Sequence, residues 1–143
     1  VRNGLEAIDA PDDMIVAVHD GARPLVTSDE IAAVIAKAAE TGAACLVAPV
    51  NDTIKTISGG EITGTLDRDK LRRALTPQAF KIDVLRRAFD LGDTSEAVTD
   101  ECYLVEKLGH PIAIVEGSAR NIKVTTREEL IFVEAILGRV AVM

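Results

Sequence analysis

The chain is 143 residues long, 48% hydrophobic and 3% aromatic, with no tryptophan and a formal charge of −7. That length buries one respectable core, and aliphatic residues in place of aromatics are the composition of packed strands and helices, an α/β layer structure. The negative charge excludes a broad nucleic-acid or anionic-membrane surface, which needs a dense field of Lys and Arg, so phosphate binding has to be local.

Val1, Leu5 and Ile8 recur at helical spacing, as though the chain enters midway through a helix, and the first residue is Val, which reads as a fragment. Met14-Ile15-Val16-Ala17-Val18 is a continuous apolar run between Pro11-Asp12-Asp13 and Asp20-Gly21, too short for a helix, and predicts a buried strand. From Thr27 the period changes: Thr27 and Glu30 make a capping box, Ile31, Val34, Ile35 and Ala38 form one stripe, and Gly42 stops the helix. A second buried strand follows at 44–48. Strand, helix and strand over this length make a βαβ unit with parallel strands and a right-handed crossover, which puts Asp20 and Pro49 on one sheet edge. Ligands of open α/β sheets bind outside the carboxyl ends of the strands, so the loop at 20–24 is a candidate site on geometry alone.

Residues 52–67 are rich in Thr and Ile and turn at Gly59-Gly60, the pattern of a β-hairpin with a two-residue turn. Ile54, Ile57, Ile62 and Leu66 are too few for an independent core, so this arm needs a partner, most simply a second copy of the chain. A short basic helix is expected near 69–74, then a turn at Thr76-Pro77-Gln78 and a helix through Val84, Leu85, Ala88 and Phe89 ending near Gly92. Thr99 is expected to cap a helix containing Tyr103, Leu104 and Leu108, with Gly109 as its stop. Residues 111–115 read as a strand and 122–124 as another, and Thr126 with Glu129 opens a final amphipathic helix. The chain turns apolar again at 140–143, which reads as a second cut.

Cys45 and Cys102 lie far apart, with no Cys-x-x-Cys spacing and no nearby His, the pattern of reduced thiols in a cytosolic protein. No apolar run approaches the roughly 20 residues that span a bilayer, and the N-terminus lacks the basic-then-apolar order of a signal peptide. The expectation is a soluble, cytoplasmic protein with neither nucleic acid nor membrane as partner.

His19-Asp20-Gly21-Ala22-Arg23-Pro24 combines a carboxylate, a flexible glycine and a guanidinium just after a buried strand. Nucleotidyl transfer needs a carboxylate to hold Mg2+ and a cation near the phosphates, and Asp20 and Arg23 can supply both, although Asp, Gly and Pro are equally common in ordinary strand-to-helix turns. Lys123, between apolar neighbours and just before a helix, is a candidate phosphate ligand or an exposed strand lysine. Arg68, Lys70, Arg72 and Arg73 form a cationic cluster; on a helix, residues 68 and 72 share a face, so it is a solvated stripe or an anion clamp at the base of the arm. Thr99-Asp100-Glu101 by itself is a helix N-cap. Spacing alone supports an α/β phosphate-handling domain.

Taken in order, Val1-Arg2-Asn3-Gly4-Leu5, Val18-His19-Asp20-Gly21-Ala22-Arg23-Pro24, Pro49-Val50-Asn51-Asp52-Thr53-Ile54-Lys55, Gly64-Thr65-Leu66-Asp67-Arg68, Leu75-Thr76-Pro77-Gln78-Ala79-Phe80, Thr99-Asp100-Glu101 and Asn121-Ile122-Lys123-Val124-Thr125-Thr126 resemble the 2-C-methyl-D-erythritol 4-phosphate cytidylyltransferases of non-mevalonate isoprenoid synthesis. The resemblance implies a Rossmann-like nucleotidyltransferase sheet, one partial domain over 1–143, with 50–68 as a dimerisation arm. It implies that Asp20 meets Mg2+ and the CTP phosphates, that Gly21 and Arg23 line the same nucleotide pocket, and that Thr53, Arg68 and Lys123 hold methylerythritol phosphate. Arg68 and Lys123 would position it for attack on CTP, with Arg68 reaching the partner subunit's site in a homodimer. The family's Gly-rich loop, with its arginine and lysine, precedes Val1, so the chain alone is expected to be inactive, electrostatic stabilisation being the largest catalytic term. The alternatives are a ribitol 5-phosphate cytidylyltransferase, a non-catalytic dimerisation or regulatory module, and a parent fused to a second enzyme of the same pathway.

Overall fold

The computed structural model describes residues 1–92 and 98–141. The chain enters through a short helix, α1 (Arg2–Glu6), which buries Leu5, and the apolar run that follows forms β1 (Ile15–Val18). The capping box forms as its residues demand: Thr27 Oγ1 accepts from the Glu30 amide at 3.1 Å, and the Glu30 carboxylate accepts from the Thr27 amide at 2.9 Å. Helix α2 (Ser28–Thr41) follows and closes at Gly42. Val34 and Ala38 of the stripe are buried, whereas Ile35 lies at its exposed margin. Strand β2 (Ala43–Pro49) then crosses the core. The arm is a separate two-stranded hairpin, β3 (Lys55–Ser58) and β4 (Glu61–Thr65). Gly59 and Gly60 take φ of 58° and 83°, the left-handed values that its two-residue turn requires at both central positions.

Beyond the hairpin the structure corrects the expected basic helix and turn. Only Arg68–Lys70 is helical, as a single 3-10 turn; Arg72 and Arg73 open a long strand, β5 (Arg72–Lys81), which takes in Thr76-Pro77-Gln78 with a cis Thr76-Pro77 peptide. Between Cys45 and Val47 on β2 the partner moves from Gln78 to Ala74, so β5 bulges there and accommodates the polar and proline residues without ending. Helices α3 (Ile82–Leu91) and α4 (Glu101–Leu108), strand β6 (Ala113–Glu116) and helix α5 (Arg127–Ala141) complete the chain. The cap of α4 is Asp100 rather than Thr99, because the Asp100 carboxylate is the group that accepts from the Tyr103 amide, at 2.8 Å. Residues 122–124 are irregular rather than a strand: their amides bond to loop carbonyls, Val124 to Ala22 and Ile122 to Arg120, instead of joining a ladder. Val142 and Met143, in the terminal apolar run, lie outside the described residues.

The main sheet has the order β1-β5-β2-β6, with β5 antiparallel to both neighbours and β2 parallel to β6. It follows that β1 and β2 run parallel, as expected, but with β5 between them. β1 is therefore an edge strand and only half-buried, a correction to the expected buried strand. β2 is buried on both faces, which is why its sequence is unbroken by polar residues. Ala43, Cys45 and Val47 face a cluster with Phe80, Leu85 and Val105 beneath α3 and α4, while Ala44, Leu46 and Ala48 face Val34, Ala38 and Leu75 beneath α2. The hairpin stands outside both clusters, with Ile57 and Ile62 at 74% and 66% exposure.

Candidate active site

The carboxyl end of β1 meets the bulge of β5, and the loop after β1 is built on that contact. Thr76 Oγ1 accepts from the Asp20 amide at 3.0 Å and lies 2.9 Å from His19 Nδ1. His19 Nε2 is 3.2 Å from the Arg23 carbonyl, which only accepts, so Nε2 carries the proton and Nδ1 receives the Thr76 hydroxyl. The imidazole is thus spent on structure. Arg23 folds back over the turn, donating from Nε to Asp20 Oδ2 at 3.1 Å and from Nη1 to the Asn121 carbonyl at 2.8 Å.

The loop at 121–125 is bound to the same two segments. Asn121 is fully buried, and its side-chain amide donates to the Thr76 carbonyl at 2.9 Å. Its own Oδ1 has no partner among the described residues. Two residues on, Lys123 Nζ lies 3.6 Å from Asp20 Oδ2. The loop is tied at its other end by Glu129, whose carboxylate accepts from the Thr125 amide at 2.6 Å, the Thr125 hydroxyl at 2.8 Å and the Thr126 amide at 2.8 Å. These bonds from Thr125, then Thr126, hold the Glu129 carboxyl below its ordinary range.

Asp20, Arg23 and Lys123 line one cleft of about 420 Å3, together with Thr76, Thr99 and Asp100. Past Lys123 and Arg23 the cleft continues into a second lobe of about 320 Å3 walled by Arg73, Thr125 and Glu129. The first lobe is rich in carboxylates and the second in cations. Arg23 is 12% exposed and holds Asp20 by a charge-assisted hydrogen bond, of a kind that contributes about 1.5–3 kcal/mol. The longer pair of Lys123, itself half-exposed, contributes only about 0–1 kcal/mol. Arg23 therefore fixes the carboxylate, while Lys123 is free to exchange it for a ligand.

The other expected site residues lie elsewhere. Gly21 sits in the Asp20 turn with open space around it. Thr53 and Arg68 are exposed at the base of the hairpin and line neither lobe; Arg68 Nη1 donates to the Asn51 carbonyl at 2.6 Å. Residues 68 and 72 do not share a helical face, because Arg72 is in β5, where it pairs with Glu116 at 2.7 Å. The cysteines, distant in sequence, are buried neighbours across β2 and α4; the hydrogen bond to the Cys45 sulfur, then burial, push the Cys102 thiol far above its ordinary range. Sequence reasoning missed Thr76, read as a turn residue, and Asn121, an isolated polar residue that no periodicity marks.

The sequence profile of the family described as 2-C-methyl-D-erythritol 4-phosphate cytidylyltransferase matches residues 1–139. Among curated relatives of that description, the Rhodopirellula baltica protein is 48% identical over 132 residues, 92% of this chain and 54% of the relative. The Pelotomaculum thermopropionicum protein is 47% identical over 147 residues, 99% of this chain and 61% of the relative. The chain thus spans little more than half the length of these relatives. The crystal structure of the Thermus thermophilus enzyme of the same description superposes with a TM-score of 0.84 at 36% identity, over 94% of this chain and 66% of that one.

Proposed function

Since the chain belongs to the 2-C-methyl-D-erythritol 4-phosphate cytidylyltransferase family, we propose that it carries the acceptor-binding half of a site that transfers CMP from CTP to 2-C-methyl-D-erythritol 4-phosphate. A phosphate oxygen of the acceptor attacks the α-phosphorus of CTP, the bond to the β-phosphate oxygen breaks, and pyrophosphate leaves. The observation that carries this reading is the convergence of Asp20, Arg23 and Lys123 at the carboxyl edge of the sheet, where three separate segments are bonded to one another.

In this reading Lys123 binds the acceptor phosphate, giving up its weak contact with Asp20. Arg23 keeps the Asp20 carboxylate aimed into the cleft, and Gly21 leaves the turn open beside the nucleotide. Both cationic contacts of Asp20 converge on Oδ2, and Oδ1 has no partner among the described residues. One free carboxylate oxygen beside a polar cleft fits Mg2+, which keeps waters and substrate phosphates as its other ligands. Among the described residues no three His, Cys, Asp or Glu side chains could form a metal cage, so the ion would arrive with the nucleotide. Bound there, it would neutralise charge on the phosphoryl oxygens.

Thr53 and Arg68 act in the site of a second subunit. Their absence from the lining of their own cleft and the bare Ile57 and Ile62 of the hairpin support a homodimer formed through the arm. No helix among the described residues is long and apolar enough to cross a membrane, and the buried free thiols agree with a reducing, cytoplasmic setting.

The test is Mg2+-dependent pyrophosphate release from CTP by a protein that carries this chain at the length of its curated relatives. Methylerythritol phosphate and ribitol 5-phosphate are compared as acceptors. Release with the first alone is expected. Release with ribitol phosphate alone would change the substrate, and silence with both would overturn the catalytic reading.

A further inference from the structure

Of the four cations clustered after the hairpin, three are committed. Lys70 pairs with Asp67 at 3.7 Å, Arg72 with Glu116 at 2.7 Å, and Arg68 donates to the Asn51 carbonyl at 2.6 Å. Arg73 has no carboxylate partner among the described residues; its contact is one long donation to the Ala119 carbonyl, 3.4 Å. Successive residues of a strand face opposite sides of the sheet. Arg72 accordingly lines a cavity with Cys45 and Cys102, while Arg73 lines the second lobe of the cleft, with Arg23, Lys123 and Thr125.

The charges in that lobe favour an anion. Arg23 is neutralised by Asp20, and Glu129 keeps its charge but is held at the loop by three donors from Thr125 and Thr126 on Oε2, one carboxylate against two cations. That leaves the Arg73 guanidinium, from β5, and the loosely held Lys123 ammonium, from the 121–125 loop. A planar fork and a point charge together suit a phosphate monoester dianion, the fork taking two oxygens and the ammonium a third.

We propose that Arg73 is a specificity-determining residue which, with Lys123, seats the phosphate monoester of the acceptor in the lobe between β5 and the 121–125 loop. This rests on the acceptor reading of the cleft. It also orients the substrate: the phosphate lies at the basic lobe, and the hydroxyl-bearing chain extends toward Thr99 and Asp100 in the first.

The test compares wild type with Arg73→Gln and Arg73→Lys. Arg73→Gln should raise KM for the phosphorylated acceptor about tenfold, more than it lowers kcat, and leave KM for CTP within about twofold. Arg73→Lys should recover part of the loss, since it restores charge but not the fork. Calorimetric titration of inorganic phosphate into the same proteins is the second readout, and it does not depend on turnover. Weaker phosphate binding by Arg73→Gln supports the seat even if wild type fails to use methylerythritol phosphate, a result that would sink only the assigned reaction. Equal phosphate binding by wild type and Arg73→Gln, or an unchanged acceptor KM, overturns the proposal.

Discussion

Lys123 Nζ lies 3.6 Å from Asp20 Oδ2, the same carboxylate oxygen that accepts from Arg23 Nε at 3.1 Å. The two cations are not equivalent partners. Arg23 is anchored a second time at the Asn121 carbonyl, whereas Lys123 is half-exposed and lies beyond hydrogen-bond distance of the carboxylate. Lys123→Ala should therefore leave the Asp20 turn intact and raise KM for the phosphorylated acceptor by about 10–100-fold. Steady-state kinetics with each substrate varied in turn gives the answer. An unchanged acceptor KM would make Lys123 an ordinary surface lysine.

Arg68 lines neither lobe of its own cleft, and a role across the dimer makes a sharp kinetic prediction. Arg68→Ala should lower turnover while preserving CTP binding. At an acceptor concentration near the wild-type KM, where each variant alone is weak, mixing Arg68→Ala and Lys123→Ala proteins should raise activity to about a quarter of wild type, because half of randomly formed dimers are mixed and each holds one site with both residues intact. If Arg68 acted within its own subunit, no mixture would recover.

Asn121 ties the Lys123 loop to β5 through the Thr76 carbonyl, in a position without solvent access. Asn121→Ala leaves that buried acceptor unpaired and should cost about 1–3 kcal/mol in urea unfolding. A loss below a few tenths of a kcal/mol would show that the orphaned Oδ1 already offset the bond.

Glu129 holds the other end of the loop, and its carboxyl is pushed down by the donors at Thr125 and Thr126. A carboxyl whose folded pKa is depressed stabilises the fold fully above its unfolded pKa and loses that stabilisation as pH falls through the lowered folded value. The amide resonances of Thr125 and Thr126 should therefore hold steady at neutral pH and move together only in acid, below the ordinary glutamate range. In Glu129→Gln that step should vanish. Its persistence would assign the titration to another group.

Local signals in the sequence carried much of the fold. Thr27 with Glu30 and Thr126 with Glu129 are self-contained hydrogen-bonding units, so both capping boxes form where they are written. Gly59-Gly60 encodes its turn for the same reason. The helix expected at 69–74 failed because charged residues carry little information about an exposed strand end, and Thr76-Pro77-Gln78 resembles a turn unless a bulge is there to receive it.

What the sequence determined by itself was most of the local elements, the unbroken burial of β2, and the positions of Asp20 and Lys123 near element ends. Only the tertiary structure decided that β5 inserts between β1 and β2, that Thr76 meets the Asp20 amide, and that Asn121 joins both to the Lys123 loop. It also turned Arg73 and Arg72 to opposite faces of one strand. The division has a physical cause: periodicity and capping depend on neighbours a few residues away. Sheet order and the partners of buried polar groups are fixed by which distant segments can bond at once.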